Sequence, residues 1–336
     1  MTDAEPTPGH DEQFMGRAVA AAARARARTS PNPWVGAVLV TPDGERFEGS
    51  TEPPGGRHAE IVAVDAARAA GADPAGATLY VTLEPCCHQG RTAPCTDAIV
   101  AARIGRVVVG IEDPDPNVQG KGLATLRAAG IETAFGVCSD AIHEQLAPYI
   151  KHRRTGRPWV VLKLAATLDG RTAAPDGTSQ WITGSEARAD AHRLRAESDA
   201  VIVGAGTVRA DDPALTVRHV DGRDPLRVVL GHVPVDARVH PALELSGPLD
   251  EVLTELGDRG VVQALVEGGA TVAGAFHRAG LVDRYVVYVA PALFGGEDAR
   301  GLFAGPGAST MADLWRGRII SIERLGADLK VEMEDA

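Results

Sequence analysis

The chain has 336 residues, 44% of them hydrophobic but only 4% aromatic, and its 45 acidic and 34 basic side chains leave a formal net charge of −11. That length calls for two domains rather than one, and an acidic balance without a basic stripe excludes a surface built to bind nucleic acid. No apolar run is long enough for a membrane span, and four cysteines without a basic and then apolar leader predict a reducing, cytoplasmic setting.

Residues 1 to 11 are polar and proline-containing, and disorder is expected there. The Ala- and Arg-rich run 12–28 predicts a helix, ended by Pro31 and Pro33. Val35 to Val40 reads as a buried strand, Pro42-Asp43-Gly44 as a hairpin turn and Arg46 to Gly49 as the partner strand. A helix over Glu60 to Ala70, a strand over Thr78 to Leu83, a helix from Cys95 to Ala102 and a strand over Arg106 to Ile111 follow. Strands alternating with helices predict a sheet covered by helices.

Two motifs sit where these elements begin and end. His58-Ala59-Glu60 opens one helix, while Pro85-Cys86 follows a strand and Cys95 opens the next helix. This is the pattern of a zinc-dependent nucleobase deaminase, in which one His and two Cys bind the metal and the fourth position takes water. The metal lowers the pKa of that water from about 15.7 toward about 7. A glutamate that is not a ligand then moves a proton from the water to the departing ammonia. His58, Cys86 and Cys95 are the expected ligands and Glu60 the proton shuttle. Eight residues, 87 to 94, separate the two cysteines, where the usual signature has two. Cys87 competes with its neighbour Cys86, and His88 is the nearest fourth ligand for a closed site that only staples the fold. Such a staple has no use for Glu60.

The basic run Lys151-His152-Arg153-Arg154 follows a helix expected to stop near Tyr149 and precedes Gly156 and Pro158. It reads as a solvated linker face, separating a domain at 12–150 from one at 157–334. Trp159 to Ala166 predicts a central strand with a turn over 167–172, and Ser185 caps a helix running to Glu197. Ala200 to Gly204 is a strand leading into Gly204-Ala205-Gly206-Thr207. Val261 to Val266 is another, leading into Glu267-Gly268-Gly269-Ala270-Thr271. Each glycine-rich turn enters a helix and can offer backbone N–H groups to a phosphate. Neither turn is G-x-G-x-x-G, so a Rossmann assignment fails on its own terms. Residues 233–250 are proline-rich with little regular pattern.

Taken in order, the motifs resemble one family. Ser30-Pro31-Asn32-Pro33 with Val35-Gly36-Ala37-Val38, His58-Ala59-Glu60, Thr82-Leu83-Glu84-Pro85-Cys86, Gly90-Arg91-Thr92 with Pro94-Cys95, and Asp113-Pro114 with Pro116 resemble the bifunctional pyrimidine deaminase–reductases of riboflavin biosynthesis. The wide cysteine spacing is that family's own. Residues 162–172, 179–183, 210–218 and 266–274 look like its reductase domain, so the resemblance covers residues 12 to 330. It implies an α/β fold class, with an N-terminal cytidine-deaminase-like three-layer domain and a C-terminal dihydrofolate-reductase-like α/β domain. It also implies Zn2+ and NADPH as cofactors, a small phosphorylated pyrimidine as substrate, neither nucleic acid nor membrane as partner, and a homo-oligomer, dimer or tetramer. The implied reactions are deamination of 2,5-diamino-6-ribosylamino-4(3H)-pyrimidinone 5′-phosphate and reduction of its ribosyl group to ribityl.

The resemblance assigns residues as well. Asn32 would bind the pyrimidine through its amide, the alternative being that it only shapes the Pro-Asn-Pro turn. Arg91 would meet the substrate phosphate, the alternative being a solvated surface arginine. Ala165, Trp181, Thr207, Asp211 and a loop of Gly269, Ala270, Thr271, Val272, Ala273, Gly274 and Ala275 would contact NADPH. Lys163, Ser179, Arg195, Leu215, Arg218 and Glu267 would surround the ribosylamino phosphate. Arg195 and Arg218 also suit a phosphate by charge and shape, although a surface salt bridge would suit them equally. By residue type alone Trp181 belongs in a core. Two features depart from the family: Cys87 stands where many relatives carry serine, and the stretch between Val229 and Val261 is shorter than expected, by about a strand. That shortening raises the alternative of a deaminase whose second half only binds or assembles. An RNA-editing deaminase, the third alternative, is opposed by the net charge and the missing aromatic-basic surface.

Overall fold

Short apolar runs bounded by proline and glycine form the strands of two separate sheets. The computed structural model describes residues 8–89, 93–116 and 118–336, and the chain divides into one unit ending at Thr155 and another beginning at Gly156.

The first unit runs α1 (Pro8–Ala23), α2 (Arg26–Thr29), β1 (Gly36–Val40), β2 (Arg46–Ser50), α3 (Ala59–Ala69), β3 (Thr78–Leu83), α4 (Cys95–Ala101), β4 (Arg106–Ile111), α5 (Lys121–Ala128), β5 (Glu132–Phe135) and α6 (Ser139–Thr155). The sheet order is β2-β1-β3-β4-β5, with β1 antiparallel to both its neighbours and β3, β4 and β5 parallel. β3 and β4 are buried beyond their first residues, as central strands covered on both faces must be. Glycine lets the helices lie close on this sheet. A Cβ on Gly36 would stand 1.9 Å from the Ala18 carbonyl oxygen, and one on Gly49 would stand 2.1 Å from that of Ala59. The second approach presses the start of α3, where His58 is carried, onto β2.

Three expectations for this unit need correction. Residues 8–11 are helical rather than disordered, and the buried Asp11 explains why. Its carboxylate accepts from Arg106 Nη1 and Nη2 at 2.9 and 2.8 Å and from the Tyr80 hydroxyl at 2.8 Å. The guanidinium holds the Asp11 carboxyl below its usual range against the effect of burial. The helix expected over 12–28 is broken between Ala23 and Arg26. The basic run is no linker: α6 continues past Tyr149 through Pro148 to Thr155, and His152, Arg153 and Arg154 lie in its last turn, where cations favour the helix dipole.

The second unit holds β6 (Trp159–Thr167), β7 (Arg171–Ala173), α7 (Ser185–Ala196), β8 (Ala200–Gly204), α8 (Ala205–Asp211), β9 (Leu226–Leu230), β10 (Leu243–Leu245), α9 (Leu249–Asp258), β11 (Gln263–Val266), α10 (Ala270–Arg278), β12 (Arg284–Ala290), β13 (Arg300–Gly301), β14 (Gly317–Leu325) and β15 (Asp328–Asp335). Eight strands form one sheet in the order β10-β9-β8-β11-β6-β12-β15-β14, parallel from β10 to β12 and antiparallel at β15 and β14. Alternate residues of β6 feed opposite faces, as the period of two requires. Val160, Leu162 and Leu164 pack with Leu253 and Leu256 of α9 and Phe276 of α10, whereas Val161 packs with Ala187 and Leu194 of α7.

Two expectations change here. The N-cap of α7 is Gly184, whose N–H donates to Oδ2 of buried Asp328 at 2.7 Å, while the Ser185 hydroxyl turns to Glu186. The proline-rich stretch 233–250, expected to have little regular pattern, holds β10, which pairs with β9 at the sheet edge, and the start of α9.

Candidate active sites of the two units

In the first unit, the expected ligands are delivered by the ends of three elements. His58 is the N-cap of α3 with extended backbone, Cys95 is the first residue of α4, and Cys86 follows β3 after Glu84-Pro85. His58 Nδ1 lies 3.2 Å from Cys95 Sγ and 3.6 Å from Cys86 Sγ, and the Cys95 N–H donates to Cys86 Sγ at 3.3 Å. All three ligand atoms lie within 4.8 Å of one another. A tetrahedral zinc with its usual bond lengths spans edges of about 3.6 Å between ligands. One imidazole and two thiols at these separations therefore fit zinc with one position open. Among the described residues, neither Cys87 nor His88 joins this cluster.

Glu60, one residue into α3, is 4% exposed. Burial pushes its carboxyl up, and the charge of a protonated His58 opposes this. Hydrogen bonding from Cys95, then from His58, draws the Cys86 thiol well below its usual range, so Cys86 is the first of the two to ionise. Glu84, to which sequence reasoning gave no role, anchors the loop carrying Cys86. Its carboxylate accepts from the N–H groups of Gly120 at 2.9 Å, Leu123 at 3.0 Å and Asp113 at 3.3 Å, capping α5 from a distant part of the chain.

The cluster opens on a cleft of about 240 Å³ that is lined by Asn32, His58, Glu60 and Cys86 on the metal side. Asn32 is thus brought beside the expected chemistry; Arg91 lies outside the described residues. The lining also includes Asp113, Asp115, Tyr149 and Arg153, none of them given a role beforehand. Asp113 belonged to the Asp-Pro-x-Pro motif, and Arg153 to the basic run.

Asp113 is buried, and burial pushes its carboxyl up to about 6 even though the Asp115 N–H and the Tyr149 hydroxyl donate to it at 2.9 and 3.1 Å. A carboxyl whose folded pKa exceeds its unfolded value of about 3.9 favours the fold most at low pH, and that contribution is lost as pH rises through about 6. Asp113→Asn is therefore expected to stabilise this unit at pH 8, by about 1–3 kcal/mol and with a higher thermal midpoint, and to leave its stability nearly unchanged at pH 4. Melts of both proteins at the two pH values check this; an equal shift at both would refute it.

In the second unit, the two glycine-rich turns come together. β8 and β11 are adjacent and parallel, so both turns fall at the carboxyl edge of the sheet, where open α/β sheets bind ligands. The Gly269 N–H donates to Thr207 Oγ1 at 3.3 Å. A Cβ on Gly268 would stand 2.5 Å from Val272 Cβ, so this turn is closed to any larger residue. Exposed backbone at two such turns suits the phosphates of a dinucleotide. The segment 269–275, expected as a loop, is instead mostly helix: α10 starts at Ala270, Ala273 is fully buried in the core, and a Cβ on Gly274 would meet the Ala304 carbonyl oxygen at 2.3 Å.

Lys163, Arg195 and Glu267 meet at the same edge. Arg195 donates to Glu267 through Nε at 2.5 Å and Nη2 at 2.8 Å, and its Nη1 reaches the Thr216 carbonyl at 3.2 Å. Burial would push Glu267 up, but Arg195 and then Lys163 hold it below its usual range. Lys163 is itself lowered by burial, and its Nζ lies 5.8 Å from the centroid of the Tyr288 ring. Arg195 is therefore a part-buried ion-pair partner, while Arg218 is exposed, with its backbone N–H donating to His192 Nδ1 at 3.0 Å. Leu215 is buried with a left-handed φ of 52°. Ala165 lies on β6 two residues beyond Lys163, Ser179 is half-buried, and Asp211 is exposed at the end of α8. Trp181 is 71% exposed under the Arg188 guanidinium, 4.8 Å from the ring centroid, and so is not core.

Residues 8–111 match the family described as the cytidine and deoxycytidylate deaminase zinc-binding region, and residues 158–331 match the RibD C-terminal domain. The riboflavin biosynthesis protein RibD of Mycobacterium tuberculosis is 43% identical over 336 residues, covering 96% of each chain. Among solved structures, RibD of Acinetobacter baumannii superposes with a TM-score of 0.91 at 38% identity, over 98% of this chain and 100% of that one. A Thermotoga maritima protein described as a diaminohydroxyphosphoribosylaminopyrimidine deaminase/5-amino-6-(5-phosphoribosylamino)uracil reductase superposes with a TM-score of 0.90 at 35% identity, over 98% and 99%.

Proposed function

The chain belongs to the RibD family of riboflavin biosynthesis, and from that membership we propose how its own residues divide the work. The protein is a bifunctional enzyme with a cytidine-deaminase-like unit and a dihydrofolate-reductase-like unit, using zinc and NADPH. It deaminates 2,5-diamino-6-ribosylamino-4(3H)-pyrimidinone 5′-phosphate and reduces the ribosyl group of the product to ribityl. Deamination belongs to residues 12–150 and reduction to residues 157–334.

His58, Cys86 and Cys95 hold the zinc, which when bound supplies an activated water. Asn32 orients the pyrimidine so that its C2 faces that position. Glu60 takes the protons of the water in turn, delivering one to a ring nitrogen next to C2 as the C–O bond forms and one to the 2-amino group as the C–N bond breaks and ammonia leaves. Its burial keeps bulk water from competing for the proton. In the second unit, Lys163 and the Arg195–Glu267 pair grip the sugar phosphate together with Arg218, Ser179 and Leu215. The turns at Thr207 and Gly269, with Ala165, Trp181 and Asp211, place the nicotinamide against C1 of the opened sugar. The convergence of one imidazole and two thiols beside the buried Glu60 carries this reading.

Mass spectrometry on the zinc-loaded protein tests it. A gain of about one mass unit on the diaminopyrimidine phosphate without NADPH marks deamination. About two more with NADPH marks reduction. The first gain alone would remove the reductase assignment, and neither would reject both.

The protein acts in the cytoplasm, as fits the four free cysteines, two of them zinc ligands. It forms a dimer or tetramer through the second unit. Supporting this, the edge strand β14 exposes Ile319 and Ile322, which an unpaired sheet edge would not keep in water. Light scattering that shows a monomer at working concentration would overturn the assembly.

A further inference from the structure

We propose that His192 is a positioning residue of the reductase, setting the strap of residues 216–218 so that Arg218 meets the sugar phosphate of the substrate. This rests on the reductase reading of the second unit, in which Leu215 and Arg218 border that substrate. Residues 212–218 belong to no helix or strand, so no ladder of backbone bonds shapes them. Side chains do so instead, at three successive residues. Arg195 Nη1 donates to the Thr216 carbonyl at 3.2 Å, the Val217 N–H donates to Asp224 Oδ1 at 2.7 Å, and the Arg218 N–H donates to His192 Nδ1 at 3.0 Å.

The two ends of the strap need that support. Leu215 and His219 are both left-handed, with φ of 52° and 70°, a conformation that such residues keep only where their surroundings impose it. Leu215 is fixed in one apolar cluster with Val201, Val203 and Val229. His219 is exposed, and its ring meets that of His192 edge to face, 5.1 Å between centroids. His192 therefore holds the backbone of one strap residue and the ring of the next.

A histidine suits this place. It is 7% exposed on α7, one turn before Arg195, so both side chains reach the strap from one helix face. Because Nδ1 accepts from the Arg218 N–H, the ring must be neutral, with its proton on Nε2. Burial, then the charges of Arg195 and Arg218, push the His192 pKa down to about 4, which keeps that acceptor at neutral pH. The exposed Arg218 guanidinium is referred to the same strap, since its Nη1 donates to Thr216 Oγ1 at 3.0 Å. Shifting the backbone of 216–218 thus shifts the cation.

Reduction of the deaminated compound by NADPH tests this on His192→Leu, His192→Asn, His192→Gln and Arg218→Ala proteins, with thermal midpoints as folding controls. His192→Leu is expected to raise KM for that compound about ten-fold, the worth of one hydrogen bond to a charged group. Its kcat and its KM for NADPH should stay nearly unchanged. The asparagine amide oxygen stands as many bonds from Cα as Nδ1 does, and that of glutamine stands one bond further. His192→Asn should therefore recover most of the loss and His192→Gln little, a comparison that survives if the leucine protein fails to fold. Arg218→Ala should raise KM by a similar factor, and adding His192→Leu to it should cost little more, because both remove one contact. Equal KM values for the asparagine and glutamine proteins, full additivity in the double variant, or an unchanged KM in either His192→Leu or Arg218→Ala would overturn the assignment. Failure of the wild-type protein to oxidise NADPH with this compound would instead sink the reductase reading beneath it.

Discussion

Glu60→Gln is expected to abolish deamination while zinc stays bound and reduction is untouched. The substitution preserves shape and hydrogen bonding at a position only 4% exposed, and it leaves His58, Cys86 and Cys95 in place. What it removes is the capacity to accept a proton and release it to the departing amine. General acid–base catalysis by one positioned group is worth about 10²–10⁴ in rate, and here one carboxyl serves both transfers, so the loss should reach the upper end. Folding should not suffer, because burial already disfavours the charged form of Glu60, and an amide avoids that penalty. Three measurements on one preparation decide it: zinc per chain, turnover of the diaminopyrimidine phosphate, and NADPH oxidation with the deaminated compound. A loss of zinc together with activity would mean that Glu60 supports the metal site rather than the proton transfer.

The largest effect on the second unit should come from Arg195→Ala. Arg195 and Glu267 are paired by two charge-assisted hydrogen bonds with side chains 14% and 8% exposed, so deleting the guanidinium strands a carboxylate in the interior. Removing one partner of such a pair costs about 3–5 kcal/mol, far more than the net value of the intact pair. Glu267 in the variant can escape by taking a proton. The destabilisation should therefore shrink as pH falls below neutrality and grow as pH rises, with burial now unopposed by Arg195. Reduction should be lost at every pH, since the substrate loses its cation and Glu267 its orientation. The double variant Arg195→Met with Glu267→Gln should regain much of the stability and none of the activity. Denaturant unfolding at two pH values, alongside NADPH oxidation, checks both halves. A variant as stable as wild type would show that the pair is solvated in solution.

The parts of this molecule visible in its sequence are those whose cause is local. β3 and β4 are continuous apolar runs because both faces of a central strand are covered, and their bounds were legible to the residue. His58, Cys86 and Cys95 were legible because zinc imposes both residue type and approximate spacing. Elements decided by distant partners were not. Asp11 looks like part of a polar tail until Arg106, across the sheet, draws it into helix α1. Gly184 caps α7 only because Asp328, far along the chain, receives its N–H. Arg153 looked like linker charge because its basic run leads into Gly156 and Pro158, and only the fold shows the helix continuing to the cleft wall. The pairing of the two glycine turns likewise depends on β8 and β11 becoming neighbours, although helices and strands intervene in sequence.

The three N–H groups gathered by Glu84 bear on how the enzyme lives with its metal. In small zinc modules the ion folds the protein, and chelation unfolds it. Here the segment bearing Cys86 is tied to α5 by bonds that owe nothing to zinc, and Cys95 and His58 are set by the starts of two packed helices. Such a binding place is built before its occupant arrives. The ion can then be withdrawn and returned as a reversible ligand, and a shortage of zinc is expected to leave folded protein in which deamination alone is dormant and recovers once supply resumes.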